Sequence, residues 1–176
     1  MYFLVAASFW NFLGAGIFGF VINLPIINYY EHGTYLTMHH GHTAMFGTYG
    51  MLSISLLLFS WRGLIDRAHW KDGILKLSFF ELNGGLFLMA FGTLLPVGAI
   101  QAWISYKDGL WMARSADFFH GAAVIALGTF RIIPDLIIIC LGVLPLAYFL
   151  LTSYPYLKAT EIKDNESVWE RLGIEL

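Results

Sequence analysis

Four stretches of this chain are long and apolar enough to cross a lipid bilayer, and nothing else in it constrains the fold as tightly. A helix crossing the hydrocarbon core needs about 20 mostly apolar residues, because each adds about 1.5 Å of rise. The stretches cover residues 2–24, 40–61, 75–104 and 132–154. In lipid every backbone N–H and C=O must find a partner within the protein, which restricts spans of this length to helices. The expected fold is all-α: a polytopic transmembrane bundle of about four spans in contact with the lipid bilayer. Composition agrees where it decides something. Of the 176 residues 58% are hydrophobic and 12% charged, against about 25% charged in a soluble domain.

Between the spans the chain is less uniform. In segment 107–130 the first half, with Trp111, Arg114 and Asp117, reads as an amphipathic interfacial helix. Residues 121–130 are apolar and extend the fourth span. Residues 158–176 read as a charged tail. Basic residues in short loops favour the cytoplasmic side. Arg62, Arg67, Lys71 and Lys76 follow the second span, and Lys158, Lys163 and Arg171 lie in the tail. Residues 25–38 contain neither Lys nor Arg. The tail is therefore expected in the cytoplasm, and the start of the second span towards the outer face. The net charge of −2 offers no basic field, so no nucleic-acid partner is expected. The single Cys140 excludes an internal disulfide and reads as a small buried hydrophobe. No basic region precedes the first apolar run, so it does not read as a signal peptide. A chain that starts inside an apolar helix is expected to be a segment of a longer protein.

The residues that carry chemistry cluster where the second span begins. His39, His40 and His42 follow Glu31, His32, Gly33 and Thr34 within a dozen residues. Ionisable side chains in a membrane helix are costly and are usually functional. Successive helical residues are turned by about 100°, so His40 and His42 point about 200° apart with about 3 Å of rise between them. One metal could not easily take both; two metals, one on each side, could each take one. Imidazole is a common axial ligand of haem iron. Ala44, Gly47 and Gly50 leave little side-chain volume beside the pair, suiting either close helix packing or a flat cofactor. His39 reads as an interfacial residue. Asn83 and Glu81 read as interhelical hydrogen-bonding or snorkelling groups.

These residues resemble a known family. Phe12, Leu13, Gly14, Ala15 and Gly16, then Asn23, Leu24 and Pro25, then Glu31 to Thr34 and the His40, Gly41, His42 run are similar to the catalytic subunit of bacterial nitric oxide reductases, in the haem-copper oxidase superfamily. Leu94, Leu95, Pro96, Val97 and Gly98 follow in order, as do Gly109, Leu110, Trp111, Met112, Ala113, Arg114, Ser115 and Ala116. The resemblance reaches to about residue 154. It implies that His40 is the axial ligand of the high-spin catalytic haem b3, and that His42 is one axial ligand of the low-spin haem b. It implies reduction of two NO by two electrons and two protons to N2O and water. Glu31 and Thr34 would bond haem carboxylates or a nearby ion. The electron donor would be quinol or cytochrome c, with the Tyr49, Gly50, Met51, Leu52 run leaning towards quinol. The location would be the bacterial inner membrane, with the haem-ligand end of the second span towards the periplasm.

The chain also departs from that family. Its six histidines are 32, 39, 40, 42, 69 and 120, and they do not form the three-histidine set that holds the family's non-haem iron. The family's Arg-x-Pro-Gly-Asp turn reads Arg131, Ile132, Ile133, Pro134, Asp135 here. The chain is thus expected to be the last third of a subunit whose remaining helices complete the chemistry. Two alternatives stay open: a small haem-binding electron-transfer cytochrome, or a non-catalytic truncated membrane fragment.

Overall fold

In the computed structural model residues 1–157 are described; the expected tail, 158–176, lies outside them. All regular structure among the described residues is helical. Four helices are long and apolar enough to cross a membrane: Tyr2–Asn23, Tyr35–Leu64, Asp72–Lys107 and Ala122–Tyr156, here spans 1 to 4. The protein is a multi-pass membrane bundle.

Local chemistry sets where these helices stop. Leu24 is extended, and the short helix Pro25–Glu31 starts with proline at its first turn, where no N–H is needed. Gly33 then takes a φ of 72°, a left-handed turn that favours glycine, and turns the chain into span 2. Span 3 ends at Asp108, followed by Gly109 at φ 99°. Each span also contains a stretch wound more widely, as a π-helix: Asn11–Phe18, His42–Gly50, Ala90–Leu94 and Ile137–Val143. In spans 3 and 4 a proline explains it. Pro96 and Pro145 lack an N–H and crowd the carbonyls four residues earlier, at Gly92 and Leu141, so the winding opens ahead of them.

Small residues hold the spans together. Between lipid-immersed helices association rests on close van der Waals packing, so backbones must approach. A Cβ on Gly14 would lie 2.7 Å from Thr43, and one on Gly47 2.7 Å from the Cβ and ring of Trp10, which seals span 1 to span 2. A Cβ on Gly98 would lie 2.6 Å from the Leu36 amide, joining spans 2 and 3. Gly85 against Ile138 and Gly142 against Leu82 join spans 3 and 4. Trp10, Met51, Leu82, Leu86, Leu94 and Phe149 fill the core.

Span 4 begins at Ala122 and takes in the apolar run ahead of Ile132, as the composition of that run implies, while two features differ from the sequence reading. The half before it is not one amphipathic helix: Met112–Arg114 and Ala116–Phe119 are single turns, separated where the Ser115 hydroxyl caps the second by accepting the Phe118 N–H at 3.2 Å. Cys140 is exposed on span 4 and is not a buried hydrophobe. Hydropathy is the same for a lipid-facing and a helix-facing position, so it does not distinguish them.

Candidate functional site

Span 2 is anchored at the end that carries the histidines. The first N–H groups of a helix have no partner within it. Here the Thr34 hydroxyl accepts the Leu36 N–H at 3.2 Å, and the Gln101 Oε1 accepts the Tyr35 N–H at 2.9 Å. Gln101 is itself buried on span 3 and donates through Nε2 to the Ala113 carbonyl at 2.8 Å. The Arg114 guanidinium donates to the carbonyls of Leu110 and His32. The start of span 2 is thus fixed to span 3 and to the loop after it.

His40 and His42 find their partners on different helices. The His40 Nδ1 lies 2.9 Å from the Gly14 carbonyl of span 1. The His42 Nδ1 lies 2.8 Å from the Met38 carbonyl, one turn back on its own helix. A carbonyl oxygen only accepts, so both bonds put the proton on Nδ1. In the neutral ring Nε2 then keeps its lone pair, the state in which imidazole binds iron. The first ring packs into the space of the missing Gly19 Cβ: a Cβ there would sit 2.9 Å from the His40 Cε1 and 3.7 Å from Nε2. Both rings are half-buried.

The third histidine of the run is placed otherwise than expected. His39 is not interfacial but 1% exposed, with its ring edge-on to Phe18 and Phe91 at 4.4 and 5.4 Å between centroids. It faces spans 1 and 3, and its Nε2 is buried without a hydrogen-bond partner among the described residues. Glu31 and Thr34 are each 2% exposed. The Thr34 hydroxyl is committed to the helix start and to the Glu31 carbonyl. The Glu31 carboxylate has one side-chain bond, from the Thr37 hydroxyl at 3.3 Å. Burial raises its pKa above the ordinary 4.5, opposed by Thr37 and by the charges of His32 and His40. Gly47 and Ala44 are buried, Gly47 against Trp10, so the small residues of span 2 serve helix packing; Gly50 faces its own Phe46. His69 stacks on Tyr156 at 3.7 Å, and no cluster of three metal-ligating side chains occurs among the described residues.

The family described as "Cytochrome C and Quinol oxidase polypeptide I" matches residues 1–137, which include the whole histidine run and three of the four spans. This chain belongs to that family. Among curated proteins it is similar to a nitric oxide reductase subunit of Stutzerimonas stutzeri, 34% identical over 117 residues, covering 56% of this chain and 23% of that protein. The chain therefore spans about a quarter of the length of this relative.

Within the oxidase-polypeptide-I fold of this chain, two polar links escaped the sequence reading. Gln101 and Arg114 sit in motifs quoted above or beside them, yet their partners are backbone atoms far along the chain, which no residue pattern encodes. The Trp10 indole N–H donates to the Asn83 Oδ1 at 2.9 Å, and the Asn83 Nδ2 donates to the Phe79 carbonyl at 2.8 Å. Asn83 is thus an interhelical link between spans 1 and 3. Of the altered turn, Arg131 and Asp135 remain paired, 3.5 Å apart one helical turn from each other.

Proposed function

We propose that this chain supplies axial histidines to the two haems of a membrane nitric oxide reductase, His40 to the high-spin haem b3 and His42 to the low-spin haem b. One observation carries the proposal. Two imidazoles on one helix each donate Nδ1–H to a carbonyl and keep Nε2 free, and the carbonyls belong to different helices. This donor set fits haem iron, and the missing Cβ at Gly19 lets span 1 pack directly against the His40 ring and hold it. The name of the Stutzerimonas relative supports NO as the substrate.

The haems and a non-haem iron, when bound, would bring two electrons to two NO, which with two protons give N2O and water. The chain's own part is to hold and orient. The Gly14 and Met38 carbonyls fix the two tautomers, and the Gln101 and Thr34 contacts fix the end of the helix that carries them. Glu31 is the group proposed to meet a haem carboxylate, since burial favours its protonated form and a protonated carboxyl can donate. Thr34 would contribute only through the cap it already makes. The non-haem iron ligands and the second axial ligand of haem b would come from the remaining helices of the same subunit, in the bacterial inner membrane with the histidine end towards the periplasm. Quinol or cytochrome c would be the donor.

The test is N2O production by the assembled subunit containing this chain, reduced and supplied with NO. Turnover is expected, is lost in His40→Ala, and stays at background for the isolated 176-residue chain loaded with haem. An assembly that reduces O2 but forms no N2O would overturn the NO assignment.

A further inference from the structure

A cavity of about 510 Å³ opens between the ends of spans 1, 2 and 3 opposite the histidines. Arg62 on its rim is 22 residues beyond His40 on the same helix, about 33 Å at 1.5 Å per residue. The reaction proposed above does not use it. Its wall is apolar: Phe3, Leu58, Leu75 and Phe79, with Phe79 edge-on to Phe3 at 5.3 Å. Arg62, Lys76 and Asp72, at the ends of spans 2 and 3, line it as well.

These charges are unequal. The Asp72 carboxylate accepts the Trp70 indole N–H at 2.8 Å. The Arg62 guanidinium lies over the Trp70 ring at 4.8 Å. Neither Arg62 nor Lys76 forms an ion pair with a described residue. Arg62 and Lys76 therefore outnumber the Asp72 carboxylate at an apolar slot that lies at the ends of three spans. A basic pocket between helices is suited to an anionic headgroup.

The geometry points to a bound anionic phospholipid, its phosphate between Arg62 and Lys76 and an acyl chain along Phe3, Leu58 and Phe79. A zwitterionic lipid would bring its own cation against the two basic side chains. A free phosphate would leave the slot unused. The volume lies within the roughly 300–1,000 Å³ of ordinary ligand sites. This inference does not depend on the identity of the reaction.

The test is native mass spectrometry of the full chain purified in detergent with equimolar phosphatidylglycerol and phosphatidylcholine. One phosphatidylglycerol should be retained in preference. Lys76→Gln, at an exposed position, should weaken retention about fivefold, and Arg62→Gln with Lys76→Gln about 30-fold, at about 1 kcal/mol per basic residue. Ser55→Trp, which fills the slot and keeps both charges, should expel the lipid while far-UV circular dichroism stays helical. Equal retention of both lipids, or retention unchanged in Lys76→Gln, would overturn the proposal. Displacement by excess glycerol 3-phosphate would also overturn it, since it would mean that the anion alone is bound.

Discussion

At the scale of single residues, position around the helix decides the surroundings of each histidine. His39, His40 and His42 differ little in sequence context. Yet one is buried edge-on to two phenylalanines, one is tied to span 1, and one bonds only its own helix. Glu31 offers a check on the chemistry beside them. Its pKa is raised in the folded protein, chiefly by burial, with Thr37, His32 and His40 opposing. The folded chain then holds a proton that the unfolded chain releases. That contribution to stability is complete below the ordinary value of 4.5 and is lost as pH rises through the folded value. Glu31→Gln, neutral at every pH, should therefore raise the melting temperature at pH 8 relative to wild type. The difference should vanish near pH 4, as read by thermal unfolding in detergent. A gain that is the same at both pH values would mean that the carboxyl is not destabilised by ionisation.

At the scale of elements, the start of span 2 is braced by span 3 and by the loop after it. Gln101→Leu removes the partner of the half-buried Tyr35 N–H and that of the buried Ala113 carbonyl. An unsatisfied buried polar group costs about 1–3 kcal/mol, so this variant should melt earlier and the Tyr35 amide should exchange faster with deuterium. Unchanged protection at Tyr35 would show that water or another donor set replaces the side chain. The four spans themselves were legible in the sequence because length and hydropathy are local properties. Their ends were less so: the Thr34 cap and the left-handed Gly33 extend span 2 beyond the apolar stretch that marks it. The π-wound stretches before Pro96 and Pro145 follow from a known steric rule, whereas those at Asn11–Phe18 and His42–Gly50 have no proline behind them.

At the scale of the whole molecule, the chain is a bundle belonging to the cytochrome c and quinol oxidase polypeptide I family, spanning 23% of the length of its Stutzerimonas relative. The paired histidines were legible because ionisable residues are rare in apolar spans. What no pattern could supply was the pair of carbonyls, Gly14 and Met38, that set both tautomers; they are backbone atoms, and Gly14 lies 26 residues away in sequence. The central proposal, one haem for each histidine, is tested most directly by optical and EPR spectra of His40→Ala and His42→Ala in the assembled subunit. His42→Ala should lose the low-spin haem signal and keep the high-spin one; His40→Ala should do the reverse. If both variants lose the same signal and keep the other, the two histidines do not serve separate irons.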